Sequence, residues 1–487
     1  MASLEEIKEN RLKKLALLKK VGMDPYPLYS QREISLEEAI ANFEKIEKSK
    51  KSTTLAGRVM SLRPQGALVF FNIYDGTATF QGLLKKEDIG EDLFGLFSGA
   101  VDIGDFLEIT GTFFITKTGE KTLNLGSWRM LAKSLLPLPE KWHGLQDVEE
   151  RYRKRYLDIL MDKELLPLFK KKAKFWQVTR EFLEKEGFIE VHTPTLELTT
   201  GGAEATPFQT HINDIDLDVY LRISVGELWQ KRLMSAGFAK TYEIGRVYRN
   251  EGASADHLQE FTNMEFYSAY MNFEEGMKLV KGLYQEIAKK VFGKTEFETR
   301  GHKFDLSGDW QELDYVGTVL EMTGVDVLEA SEGELAEKLQ ELKVEYDGKN
   351  RERMMDALWK YCRKQISGPA FLINHPKLVA PLSKEHPDDQ RKTKTFQVII
   401  AGSEIGRAHA ELNDPADQRA RFEEQGELLK SGDAEAMMPD FEYVEMMEHG
   451  MPPTFGFGFG ERLFAYLSDK PVRETTLFPM LRPKGDN

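Results

Sequence analysis

Apolar and polar residues alternate from Tyr242 to Tyr248 and again from Phe261 to Tyr270, and a polar stretch carrying Gly252, Ser254 and Asp256 lies between them. This period of two predicts a pair of antiparallel strands joined by a long turn. Near the end of the chain TFGFGFG (454–460) alternates phenylalanine with glycine ahead of Glu461-Arg462 and an apolar run from Leu463 to Leu467, which predicts a strand passing into a helix. Between Thr53 and about Leu138 the same alternation recurs in short stretches, TLAGRVMSLR, ALVFFNIYDG, ATFQGLLK and DFLEITGTFFITKTGEKTLNLG, separated by DG and TGE turns. About five strands over this length predict a small closed barrel of the OB type. Helical spacing governs two other segments. Residues 3–20 start with Ser3 as N-cap and carry leucines on one face and lysines and arginine on the other, and Phe169–Lys185 forms a long amphipathic run stopped by Gly187. The basic face of the first helix has two readings, packing on the next domain and contact with a tRNA backbone.

Composition narrows the class. At 487 residues with 41% hydrophobic content the chain holds two or three domains and ample core, with no long apolar run and no leader of the signal-peptide type. A single cysteine, Cys362, allows neither an internal disulfide nor a thiolate zinc cluster, so a soluble cytoplasmic protein with no membrane segment is expected. The formal net charge of -14 excludes bulk affinity for polyanions, and any nucleic acid must meet a local basic surface. Composition shifts divide the chain into a helical extension (1–52), the barrel (53–138), a linker with prolines and a charged helix (139–165) and a large α+β domain (166–487) with a helical, charge-rich insertion at about 300–365.

The rim of the predicted hairpin carries the candidate chemistry. Arg249 can fork onto a phosphate or carboxylate, Glu251 can accept from an adenine amino group, and Phe261 offers a flat face to a base. The alternating glycines before Arg462 allow close approach of a ligand, and the helix that follows aims amides and a guanidinium at the same space. Together with GFIEVHTPTL (187–196), these stretches resemble motifs one, two and three of the class II aminoacyl-tRNA synthetases, in the family's order. The linker LPLPEKWHGLQDVEERYRKRYLDIL (136–160) is more similar to the lysyl branch than to the aspartyl or asparaginyl one.

The resemblance implies an antiparallel catalytic sheet flanked by helices, ATP-dependent activation of an amino acid, magnesium, transfer to tRNA, and a homodimer built through motif one near Pro194. It implies that Arg249 and Arg462 stabilise the transition state, and that Arg249, Glu251, His257, Phe261, Glu404 and Arg462 bind ATP. Binding a lysine side chain requires an anion inside the site, because a buried unpaired ammonium is prohibitively costly. The resemblance implies Glu265 on the ε-ammonium, Tyr267 beside it, Glu227 on the α-amino group, and Gly202, His409 and Glu411 around them. Glu404 and Glu411, read as lying around a bend, are the expected magnesium carboxylates. Arg63, Phe70 and Gln81 resemble an anticodon-reading face for tRNA(Lys), with Phe70 outward and Phe71 inward. Four positions depart from the lysyl pattern: Gln397 stands where a further magnesium carboxylate is usual, Asp256 replaces an arginine, and Arg407 and His409 replace asparagine and an aromatic residue. The glycine run is also one residue short in register. An aspartyl- or asparaginyl-type ligase with a changed pocket and a non-catalytic RNA-binding paralogue are the alternatives that these departures keep open.

Overall fold

Period-two patterning in the first part of the chain closes into a barrel, and in the second part it builds a broad sheet. The computed structural model describes residues 3–139, 145–203, 205–252, 254–346, 350–430 and 437–484. It divides into two units, residues 1–147 and 148–487. Part of the expected linker, residues 140–144, lies outside the described residues.

In the first unit, β1 (Thr53–Gln65), β2 (Leu68–Tyr74), β3 (Thr79–Lys85), β4 (Phe106–Ile115) and β5 (Lys121–Ala132) close in the order β1-β2-β3-β5-β4. Leu55, Val59, Phe71, Ile73, Leu107 and Ile109 fill the inside, and Phe71 rather than Phe70 is the buried member of that pair. The helix Leu4–Lys20 begins with a capping box between Ser3 and Glu6. Part of its cationic face is used within this unit: Arg11 donates to the Ser134, Leu136 and Ile103 carbonyls, and Lys14 pairs with Asp102 at 2.6 Å.

The second unit opens with two short helices, Val148–Arg153 and Arg155–Met161, and then the helix Leu165–Lys185, which starts four residues earlier than the sequence pattern suggests and is followed by Gly187 in the left-handed region. The strands that follow are β6 (Ile189–Glu190), β7 (Leu196–Glu197), β8 (Gln209–Ile212), β9 (Leu217–Leu221), β10 (Lys240–Tyr248) and β11 (Glu260–Ala269). Next come β12 (Glu296–Thr299), β13 (His302–Asp305), β14 (Gln311–Asp314), β15 (Ala370–Pro376), β16 (Glu385–His386), β17 (Asp389–Ile400), β18 (Ser403–Ala410) and β19 (Thr454–Gly460). The central sheet has nine strands in the order β14-β15-β17-β18-β19-β11-β10-β6, with β16 on β17. Most neighbours are antiparallel, the exceptions being β14 with β15 and β10 with β6. Phe455, Phe457 and Phe459 turn inward to the core beneath this sheet, which leaves the intervening glycines on the opposite face.

Two expectations change here. The run TFQVIIAGSEIGRAHAEL reads as one strand but forms the hairpin β17–β18, turning at Ala401 (φ 48°) and Gly402 (φ 71°). Two positive φ angles suit the tight turn that matches strand twist, and an alanine at the first of them hides the signal. The insertion also does more than decorate the fold. Its helix Arg351–Arg363 buries Met354, Met355, Leu358, Trp359 and Cys362 against Tyr315, Leu372 and Ile399, so it packs directly on the sheet. Among the described residues no helix is long and apolar enough to cross a membrane.

Candidate active site

Strand register puts the floor of a cavity where three strands meet. Asn263, Glu265 and Tyr267 on β11 stand opposite Gly460, Gly458 and Gly456 on β19. A Cβ on Gly456 would lie 2.2 Å from Glu411 Oε1 and 2.5 Å from Tyr267 Cε1, and one on Gly458 would lie 2.8 Å from Glu265 Cγ. Real side chains do not tolerate such distances, so the glycines make room for the carboxylates. Above this floor lies a cavity of about 540 Å³. It brings together Arg249, Glu251, His257, Phe261, Glu404 and Arg462 at one end and Gly202, Glu227, Glu265, Tyr267, His409 and Glu411 at the other. Arg63, Phe70 and Gln81 belong to the barrel.

The carboxylate end is a buried charge cluster. Glu265 accepts from the Val225 amide at 2.9 Å, from Asn263 Nδ2 at 2.9 Å and from the Tyr267 hydroxyl at 3.2 Å. Lys231, one helical turn after Glu227, places its Nζ 2.7 Å from Glu227 Oε1 and 2.5 Å from Glu411 Oε2. Glu227 and Glu411 therefore share one resident ammonium, while Glu265 is held by hydrogen bonds. The consequence is a crowd of carboxyl groups in a dry place, where burial favours the neutral form. Burial, with Glu227 adding to it, pushes the Glu265 carboxyl up to about 7 against the pull of its hydrogen bonds. Burial likewise raises Glu411, with Lys231 opposing and Glu227 adding. Burial works against the Lys231 ammonium, but Glu227 and Glu411 outweigh it and hold the amine charged.

Of the two unusual residues of β18, both of which line the cavity, one is neutral and the other is held by backbone. His409 sits 3.0 Å from Thr395 Oγ1, and burial, then Arg407 and Lys231, hold its imidazole well below its ordinary value, so it is neutral. Arg407 donates to the Val379 carbonyl at 2.6 Å, which ties its guanidinium to the loop after β15 rather than to Glu411.

At the other end the hairpin rim is tied on both sides. The Arg249 amide bonds to the Gln259 carbonyl at 2.8 Å, its guanidinium donates twice to the Ile223 carbonyl at 3.3 Å, and it lies 5.3 Å from the Phe261 ring centre. Glu251 accepts from the Thr206 amide at 3.3 Å, which links the rim to the loop that begins at Gly201. His257 is 2.8 Å from Ser254 Oγ, and burial followed by Arg462 lowers its proton affinity. Asp256, the anion at an expected arginine position, is held by both terminal nitrogens of Arg300, which itself lies 3.9 Å over the Tyr466 ring. Burial opposes its ionisation, yet Arg300 keeps the carboxyl below its usual range. Arg462 donates to the Glu404 carbonyl at 3.3 Å.

The magnesium expectation needs correction. The turn of the hairpin precedes Glu404, and β18 runs from there without a reversal, so Glu404 and Glu411 stand at opposite ends of the strand, roughly 20 Å apart at ordinary strand rise. They cannot hold one ion together, and Glu411 is already engaged by Lys231. Gln397 Oε1 accepts from Trp359 Nε1 at 3.2 Å, and Glu404 lies 3.7 Å from Arg363. Among the described residues no three His, Cys, Asp or Glu side chains gather as a metal-binding group. A single carboxylate beside a neutral amide would hold magnesium only together with phosphate oxygens and water.

Sequence reasoning missed Lys231, Trp359 and Arg363. The Glu227–Lys231 spacing of four on a helix was a readable signal. For Trp359 and Arg363 nothing local points to the cavity, because the insertion helix reaches it only through tertiary packing.

In the barrel, Arg63 Nη2 donates to Gln81 Oε1 at 3.1 Å and Gln81 Nε2 donates to Thr122 Oγ1 at 2.9 Å. Phe70 pairs with Arg63 across β1 and β2 and is half-buried. An amide, a guanidinium and an aromatic face thus share one patch.

Two family models match the chain. One, described as tRNA synthetases class II (D, K and N), covers residues 147–482, and another, described as an OB-fold nucleic acid binding domain, covers residues 53–131. A lysine–tRNA ligase of Thermotoga maritima is 42% identical over 487 residues, spanning 99% of this chain and 97% of the relative. One from a Roseiflexus species is 40% identical over 487 residues, spanning 99% of each. One from Listeria welshimeri is 40% identical over 485 residues, spanning 97% of this chain and 96% of the relative.

Proposed function

The chain belongs to the class II tRNA synthetases of the aspartate, lysine and asparagine group, and from that premise we propose that it activates L-lysine with ATP and transfers it to tRNA(Lys). The observation that carries the amino-acid choice is buried Glu265, which lines the cavity with Glu227 and Glu411 while those two alone share the ammonium of Lys231. Lysine brings two ammonium groups and one carboxylate. Glu265 with Tyr267 receives the ε-ammonium, Glu227 the α-amino group, and Glu411, Gly202 and neutral His409 complete the enclosure. An aspartate-type pocket would need a cation where Glu265 stands.

The α-carboxylate of lysine attacks the α-phosphorus of ATP, a new P–O bond forms, the bridge to the β-phosphate breaks, and pyrophosphate leaves without any proton transfer. Negative charge on the five-coordinate phosphorus is stabilised by Arg249 and Arg462, and catalysis is otherwise positioning. Phe261 and Arg462 hold the adenine while Glu251 reads its amino group, with His257 near the phosphates. Magnesium, when it accompanies ATP, offsets phosphate charge. In the second step a terminal ribose hydroxyl attacks the carbonyl carbon of the adenylate, AMP leaves, and the hydroxyl proton passes to the departing phosphate.

In this reading residues 1–52 are an extension, 53–138 the anticodon-binding domain with Arg63, Phe70 and Gln81 at the bases, 139–165 the linker, and 166–487 the catalytic domain. A homodimer through the segment near Pro194 is supported by the open edge at β6 and by Ile189 and Leu198, which are 55% and 58% exposed. ATP and tRNA as substrates make the cytoplasm the expected compartment. The test is ATP–pyrophosphate exchange with each of the twenty amino acids, followed by charging of tRNA(Lys). Exchange with lysine alone is expected, and exchange driven by a different amino acid would overturn the assignment.

A further inference from the structure

The insertion helix Arg351–Arg363 lines the cavity with Glu352, Arg353, Asp356, Trp359, Lys360 and Arg363, and Asp356 is paired with Lys360 at 2.6 Å. Arg363 occupies the last turn of that helix, where a cation is favoured by the helix dipole. Position alone would make it a structural residue, but its side chain is directed elsewhere. Its Nη1 lies 3.7 Å from the Glu404 carboxylate, and both side chains are largely covered, at 19% and 28% exposure. An ion pair of that length exceeds a hydrogen bond, so Glu404 aims the guanidinium without consuming its N–H groups. The neighbouring strand supplies no second anion. Ile399 is the cross-strand partner of Glu404, and Gln397, two residues before it, shares its face. The amide oxygen of Gln397 is already taken by the Trp359 indole. Arg249, Arg363 and Arg462 all line the same cavity as His257, so three guanidinium groups face one space.

We propose that Arg363 is a resident cation of the triphosphate site, standing on the insertion helix where a divalent ion held by two carboxylates would otherwise sit. The proposal rests on the reading of the cavity as an ATP site and goes beyond it in assigning the phosphate contact. A guanidinium can fork onto two phosphate oxygens at once and needs no dehydration of a metal to do so. Glu404 is then a positioning residue for Arg363, Gln397 a neutral spacer pinned by Trp359, and the insertion helix a part of the nucleotide site. The only metal required is the one ATP carries into the cavity.

Electron paramagnetic resonance with Mn²⁺ as the probe tests this on the full-length protein. The wild type is expected to bind no Mn²⁺ at this site without nucleotide and one ion per site with a non-hydrolysable ATP analogue. The double variant Arg363→Gln/Gln397→Glu is expected to gain an ion that wild type does not hold. In parallel, Arg363→Gln should weaken ATP binding by at least about tenfold, the scale of one charge-assisted contact, and Arg363→Lys should recover part of it. Binding of Mn²⁺ by the nucleotide-free wild type that Glu404→Gln abolishes would overturn the proposal. So would a folded Arg363→Gln protein whose ATP affinity stays within about twofold of wild type. Should that variant fail to fold, the wild-type Mn²⁺ count and Arg363→Lys still decide. Failure of the underlying reading looks different: wild type would then show no ATP binding and no lysine-dependent pyrophosphate exchange.

Discussion

In the proposed reading, amino-acid choice turns on Glu265. Its carboxylate is buried, hydrogen-bonded on three sides and close to two other glutamates, so a cationic ligand is the natural relief for it. Removing one partner of a buried charge pair typically costs about 2–5 kcal/mol. Glu265→Gln should therefore raise the KM for lysine by roughly thirtyfold or more while leaving the KM for ATP little changed, as read by pyrophosphate exchange. The same burial makes binding pH-dependent. In the free site burial, with Glu227 adding to it, raises the carboxyl above its ordinary value, so the ionised form is disfavoured before a cation arrives. An arriving ammonium favours the ionised form, so lysine binding releases protons, and affinity falls as the pH drops below about 7. Calorimetry in two buffers of different ionisation enthalpy should detect that release near neutrality and find it fading at higher pH. Proton uptake on binding would contradict the charge assignment.

At the scale of elements, β19 is a strand selected for what it lacks. Gly456→Ala introduces a methyl group 2.2 Å from Glu411 Oε1 and 2.5 Å from Tyr267 Cε1, so the carboxylate cluster must shift or the strands must part. Overpacking of this kind costs about 1–3 kcal/mol. Lysine-dependent exchange should drop at least about tenfold, with thermal denaturation showing only a modest loss of stability. The hairpin β10–β11, the glycine strand and the barrel were legible because alternation, turn residues and glycine spacing are local signals. Other elements were not. The turn at Ala401–Gly402 lacks the usual residue at its first positive-φ position, so β17 and β18 read as one strand and Glu404 was misplaced relative to Glu411. The helix carrying Trp359 and Arg363 has an ordinary amphipathic pattern, and only its packing on the sheet decides which polar residues face the cavity. Asp256 could be seen as an anomaly in sequence, but its partner Arg300 is 44 residues away and reaches it through tertiary structure alone.

On the scale of the whole molecule, the barrel and the catalytic unit each have their own core, one built around Phe71 and Ile109 and the other around Phe266 and Phe457. Phe70→Ala in the barrel should therefore leave lysine-dependent pyrophosphate exchange unchanged. Charging of tRNA(Lys) should fall by the equivalent of about 1–3 kcal/mol, the usual worth of a base–aromatic stack. Equal loss in both assays would show that Phe70 supports the fold rather than the anticodon. Two independent cores also bear on accuracy. In the proposed reading a wrong amino acid is refused by one free-energy difference, set among buried glutamates, and a wrong tRNA by another, set on a barrel face. Because either failure alone yields a mischarged tRNA, the two error frequencies add, and the codon assignment is no more accurate than the weaker of the two selections.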